Sequence, residues 1–240
     1  MSHTGAIASN NEIFSAMCVQ AGIIQVDTMD EMIDVAGMLL SQPLPKGNRV
    51  GIITLGGGWG VIATDMCMSN GLVVEPLPET IIQKLDRILP PYWSKGNPVD
   101  LVAPGRVETI TDAINILMEH EAIDQVFVMG LGYMTLRGHG WLNSDVIEAH
   151  AAKGPARIMI DEEMKLFRLL VDLIDKHAKP IIPVVDIMSF DIVVENSPLA
   201  FLNSKGITAY PSPAPAVHAL AKVVDYSIRT GRIATGRGRS

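Results

Sequence analysis

Two apolar periods alternate along this chain. Arg49 to Thr54, Gln125 to Met129 and Pro180 to Asp186 are short, nearly continuous apolar runs bounded by turn residues, the pattern of strands buried on both faces. Between and after them, apolar residues recur at three and four positions and predict helices over Trp59–Ser69, Pro78–Leu89, Val107–Met118, Pro155–His177 and Pro213–Ile228, with Ser189–Lys205 mostly helical. Ile81, Ile82, Leu85, Ile88 and Leu89 share one face of the second of these. Leu72–Glu75 and Ile207–Tyr210 predict two further strands, and Asn97–Leu101 a short extended piece. Thr135–Arg157, which contains Gly138-His139-Gly140-Trp141, follows neither period and is predicted to be irregular. Strand-then-helix repetition of this kind gives an α/β fold with a parallel sheet covered on both sides.

The first 47 residues read differently. A helix over Asn11–Gln20 closed by Gly22, a strand over Ile23–Val26 and a helix through Leu40 capped by Asp27 or Thr28 supply one strand and two helices, too few to bury both faces. They predict the tail of a larger α/β domain, with an exposed apolar face that invites association into a homo-oligomer. Gln42-Pro43-Leu44-Pro45-Lys46-Gly47-Asn48 reads as a solvated linker, and Arg229 to Ser240 as a basic, glycine-rich tail or linker stub. The expected units are therefore residues 1–47, 48–228 and 229–240.

Composition narrows the class. With 48% apolar and 19% charged residues among 240, the chain is long enough to bury a substantial core. Its formal charge of −7 argues against nucleic acid as a partner, since phosphate neutralisation needs a basic face. Apolar runs such as Ile181–Val185 are far shorter than a membrane span, and Met1-Ser2-His3-Thr4 does not open a signal sequence, so a cytoplasmic protein without a membrane partner is expected. Cys18 and Cys67 lie apart in helical patterns, without C-x-x-C spacing, and read as buried small hydrophobes. No metal site is expected: Asp161, Glu162 and Glu163 are adjacent, point in different directions on a helix and read as a solvated face. Met29, Met32 and Met38 read as core filler.

The candidate chemistry sits where the first complete strand of this pattern meets its helix. Thr54-Leu55-Gly56-Gly57-Gly58-Trp59-Gly60 passes from strand through glycine into a helix in which Val61, Ala63, Met66 and Cys67 are able to share a face. Helix N-termini present N–H groups without intrahelical partners and a partial positive charge, which suits phosphate. No Gly-Lys-Ser/Thr follows, and Val61 stands where a dinucleotide fingerprint has its third glycine. Two readings stay open, a phosphate cradle and a structural turn in which glycine permits close packing. A second glycine turn, Gly130-Leu131-Gly132, follows the strand that ends at Met129. In parallel sheets ligands collect at this carboxyl edge.

Four stretches in order carry a resemblance. Ser2-His3-Thr4-Gly5-Ala6-Ile7-Ala8 with Gln20-Ala21-Gly22-Ile23-Ile24 resembles the phosphohistidine segment of the NDP-forming acyl-CoA synthetases, the superfamily of succinyl-CoA synthetase. Val50 to Cys67, Asn97-Pro98-Val99-Asp100-Leu101 and Gly206 to Pro213 resemble landmarks of the flavodoxin-like ligase domain of the same proteins, together matching the C-terminal part of an α-type chain. The resemblance implies a doubly wound, flavodoxin-like domain and a reaction in which acyl-CoA and phosphate give an acyl phosphate. A histidine, here His3, then carries the phosphoryl group to ADP or GDP. It implies phosphate contacts from helix ends, for which Gly57, Gly58 and Gly60 form one candidate and Gly130 and Gly132 the other. It also implies partners: a CoA-binding domain and an ATP-grasp domain or β-type subunit, which bring CoA, ADP or ATP and Mg²⁺. None is expected to be bound by this chain alone, which is not expected to turn over by itself. Trp59 departs from the smaller residues or proline of the family. The rival reading is a non-catalytic module of the same fold that binds CoA, a nucleotide or a protein. His139, between glycines, and Asp100, in an Asn-Pro-x-Asp turn, read as structural before functional.

Overall fold

A computed structural model describes residues 11–101, 106–146, 149–185 and 197–231. The sheet has strand order β2-β1-β3-β4, all parallel, from β1 (Val50–Thr54), β2 (Val99–Asp100), β3 (Gln125–Leu131) and β4 (Ile181–Val185). Single parallel bridges extend both edges, Val73 beside Arg49 and Tyr210 beside Val184. The expected strands over 72–75 and 207–210 are reduced to these bridges, and Ile23–Val26 joins no ladder.

Alternation along the strands builds two cores. Val50 and Ile52 of β1 with Phe127 and Met129 of β3 face one layer, made by α2 (Met29–Ser41), α3 (Gly57–Ser69) and α9 (Pro213–Thr230). Ile53, Val126 and Val128 face the other, made by α4 (Glu79–Leu85), α5 (Val107–Met118), α7 (Ala149–Lys176) and α8 (Pro198–Ser204). Close approach is built in at Gly51, where a Cβ would stand 2.8 Å from Leu117 Cδ2. These layers confirm the α/β, doubly wound expectation.

The opening helices are α1 (Asn11–Ala21), closed by Gly22 at φ +66°, and α2, capped by Thr28, whose hydroxyl accepts from Glu31 N–H at 3.1 Å. Val35 and Met38 of α2 belong to the same core as α9, whereas Ile13, Phe14 and Met17 of α1 are exposed. Met29 and Met32 are also exposed, so of the three methionines expected in the core only Met38 is there; the other two fall outside the α2 stripe that meets α9. The stretch read as a solvated linker is pinned: Gln42 is buried and its side-chain oxygen accepts from Ile181 N–H, and Ser227 donates to Pro45 O.

The largest departure is the stretch expected to be irregular. Residues 133–142 form α6 (Tyr133–Leu142), and α7 begins before Pro155 and carries it inside. Gly138 lets the two helices touch, since a Cβ there would lie 2.8 Å from Ala156 O and from Ile160 Cγ1. At the other end, Arg229 and Thr230 belong to α9, which stops at Gly231 with φ +60°.

Candidate functional site

The two glycine turns lie side by side at the carboxyl edge of β1 and β3. Leu55 N–H donates to Met129 O at 3.0 Å, and a Cβ on Gly130 would stand 3.1 Å from Leu55 Cβ. Gly130 and Gly132 both have left-handed backbone, at φ +84° and +87°, a conformation that side chains disfavour.

At the β1–α3 turn, Thr54 sets the geometry. Its hydroxyl donates to Gly56 O at 2.6 Å and accepts from Gly56 N–H at 3.0 Å, bending the chain directly after the strand. Gly56 is the N-cap and has no side chain to satisfy the helix end. Gly57 and Gly58 are exposed, whereas Gly60 is buried, with a Cβ position 3.0 Å from Pro98 Cβ and 3.1 Å from Thr54 Cγ2. Gly60 is thus a packing glycine, and the accessible donors of this turn belong to Gly57 and Gly58. A Cβ on Gly57 would meet the Asp100 carboxylate at 2.8 Å; one on Gly58 would meet nothing within 4 Å. Trp59 is half-buried against the α3 core side, and Val61 is exposed, opposite to the buried Ala63 and Cys67 with which it was expected to share a face.

The β3–α6 turn has the same outline and a different content. Gly132 is the N-cap of α6, and the helix end is met by Glu163 of α7. That carboxylate accepts from Gly132 N–H at 2.8 Å, Thr135 N–H at 2.6 Å and Met134 N–H at 3.3 Å. Glu163 has no exposed surface, against the expectation of a solvated acidic face. Burial pushes its carboxyl above the ordinary glutamate value, while the hydrogen bonds from Thr135, Met134 and Gly132 pull the other way. The missed signal was spacing: Glu163 falls in register with the buried positions Ala156, Leu166, Phe167 and Leu170.

Other candidates have local roles or lie elsewhere. His3 falls outside the described residues. Asn97 ties the loop to β1, accepting from Ile52 N–H and donating to Val50 O and Glu75 O. His177 contacts Asn115, and His139 is half-buried within α6. Cys18 and Cys67 are buried free thiols, with Cys67 pushed up to about 12 by burial. A cleft of about 710 Å³ between α2 and α9 is lined by Asp27, Asp30, Glu31, Asp34, His218 and Lys222 among others, an acidic wall unsuited to phosphate. Burial, then Asp30 and Glu31, raise the Asp34 carboxyl above its ordinary value. Among the described residues no three His, Cys, Asp or Glu side chains cluster to hold a metal, and no helix is long and apolar enough to cross a membrane.

Comparison with known proteins adds two family models. The Ligase-CoA domain matches residues 50–159, and the succinyl-CoA ligase like flavodoxin domain matches residues 1–39. A 4-hydroxybutyrate–CoA ligase (ADP-forming) of Nitrosopumilus maritimus is 28% identical over 227 residues, 95% of this chain and 28% of the relative. The acetate–CoA ligase (ADP-forming) II subunit alpha of Pyrococcus furiosus is 39% identical over 123 residues, 51% of this chain and 27% of that one. A structure of the dinucleotide-forming acetyl-coenzyme A synthetase 1 of Ca. Korarchaeum cryptofilum, in complex with phosphate and ADP, shares the fold. It superposes with a TM-score of 0.67 at 23% identity, over 96% of this chain and 44% of that one. The chain spans less than half the length of each of these relatives.

Proposed function

Because the chain belongs to the NDP-forming acyl-CoA synthetase superfamily, the group that includes succinyl-CoA synthetase, we propose that it supplies a phosphohistidine segment and a ligase domain to such an enzyme. The complete reaction interconverts acyl-CoA, ADP and phosphate with the acid, CoA and ATP. A phosphate oxygen attacks the thioester carbonyl and expels CoA as the thiol, leaving an acyl phosphate. An imidazole nitrogen of His3 then takes the phosphoryl group, and the carboxylate leaves. The phosphoramidate passes the group to the terminal oxygen of ADP, regenerating the imidazole. Neutral imidazole is nucleophilic near neutral pH, and its phosphorylated form stays reactive enough to hand the group on.

The observation that carries this reading is the uncapped, solvent-facing head of α3 at the carboxyl edge of a parallel sheet, where Gly57 and Gly58 offer N–H groups to phosphoryl oxygens. Gly60 supports it by letting α3 seat against Pro98 and Thr54. CoA, nucleotide and Mg²⁺ enter with a CoA-binding domain and an ATP-grasp domain or β-type subunit, the partners this reading requires.

Labelled ATP and Mg²⁺ with the cognate ATP-grasp partner test the proposal. Acid-labile, base-stable label on the wild-type chain, lost in His3→Ala, is the expected result. A demonstrably active partner that leaves the wild-type chain unlabelled would move the non-catalytic binding module to the front.

A further inference from the structure

The head of α6 already holds an anion. Three N–H groups, from Gly132, Met134 and Thr135, converge on the two oxygens of Glu163, the arrangement a bound phosphate would receive from a helix end. The carboxylate comes from a different helix, because the N-cap is a glycine with no side chain to offer. Gly132, Thr135 and Glu163 are all buried, so a solvent-borne phosphate meets these donors only if the side chain leaves. The contrast with the neighbouring turn is complete: Gly57 and Gly58 are exposed at a helix end whose N-cap lacks a side chain. The two turns also lean on each other through Leu55, Met129 and Gly130, so whatever holds the second turn shapes the first.

Resting on the reading of this edge as a phosphoryl site, we propose that Glu163 is a positioning residue that acts as the internal anion of the β3–α6 turn, closing that helix end to phosphate and leaving Gly57 and Gly58 to receive the phosphoryl oxygens. Of the two glycine turns that the family resemblance offers, one is then a binding element and the other is its support. Glu163 does two things at once. It supplies acceptors for donors that would otherwise be buried without partners, and it keeps a second phosphate from competing with the first.

The experiment is a titration of the chain with inorganic phosphate against chloride at matched ionic strength, followed by backbone amide shifts and by melting temperature. In the wild type, the amides of Gly57 and Gly58 shift and those of Gly132, Met134 and Thr135 do not. In Glu163→Ala the second set shifts as well, with an affinity at least about tenfold tighter than the wild type shows there. The same variant melts lower in chloride and recovers in phosphate. Glu163→Gln, which keeps the shape and still fills the helix end, shifts the same amides without gaining phosphate.

Phosphate-induced shifts at Gly132 to Thr135 in the wild type would overturn the proposal. So would an alanine variant that melts equally low in both salts, which is what a cap without anion character predicts. Should Glu163→Ala not fold in chloride, refolding yield in phosphate is the readout, and equal failure in both salts counts against the proposal. If Gly57 and Gly58 stay silent while Glu163→Ala gains the second set, Glu163 keeps its role and the assignment of phosphate to α3 falls.

Discussion

The β1–α3 and β3–α6 turns leave adjacent strands at the same edge, and both run from strand through glycine into helix, yet one faces water and the other is sealed by a carboxylate. Their glycines also differ in kind. Gly130 and Gly132 are needed for left-handed backbone, Gly57 and Gly60 for close approach, and Gly58 for neither. A glycine cluster therefore reports that the backbone is doing something side chains disfavour. It does not report whether a ligand, a neighbouring strand or a distant acid is the reason.

Substitutions at the two turns break this comparison in graded ways. The largest effect is expected from Glu163→Ala, which orphans three buried N–H groups and should cost about 3 kcal/mol or more in a denaturant melt. Gly57→Val follows: its Cβ meets the Asp100 carboxylate, so the turn must shift, with an expected loss of roughly 1–2 kcal/mol and disappearance of the Gly58 amide response to phosphate. Gly58→Ala, with open space around it, should instead raise stability by about 0.5–1 kcal/mol, the ordinary gain of alanine over glycine in a helix. Asp100→Asn removes a negative charge beside the head of α3 and should tighten phosphate binding by roughly two- to fivefold at low salt, measured by the same titration.

The smallest effects are in pH. Lys165 holds the Glu108 carboxyl at about 2, below its unfolded value, so that pair stabilises the fold above pH 4.5 and its contribution is lost as pH falls towards 2. The pair is exposed, so added salt should shrink the effect. Glu163 has the opposite sign. Its folded value is raised by burial, so stability is lost as pH rises through that value, and Glu163→Gln should lack this component. Melting temperature against pH in low and high salt separates the two.

The sheet was legible because β1, β3 and β4 are β-branched runs with no competing period, and α5 matched its predicted bounds because its apolar stripe is uninterrupted. The stretch over 135–157 was not, because Gly138, Gly140, Gly154 and Pro155 are breakers on any propensity scale, and only contact between α6 and α7 turns Gly138 into an advantage. Glu163 was missed for a related reason. Beside Asp161 and Glu162 it looks like one more solvated acid, although its phase with Leu166, Phe167 and Leu170 places it inside. The exposed head of α3 was readable from Gly56 to Gly60. What fills the head of α6 depended on a side chain about thirty residues away, beyond any local pattern.

Asn97 has a consequence at the edge of the sheet. Val73 pairs with the start of β1 and Val99 with its end, and the gap between them is filled by one carboxamide, which accepts from Ile52 N–H and donates to Val50 O as a neighbouring strand would. An unpaired strand is a template on which another chain can crystallise its own backbone. Here a side chain completes the ladder, and β1 is withheld from that kind of intermolecular zippering without the fold having to supply a longer strand.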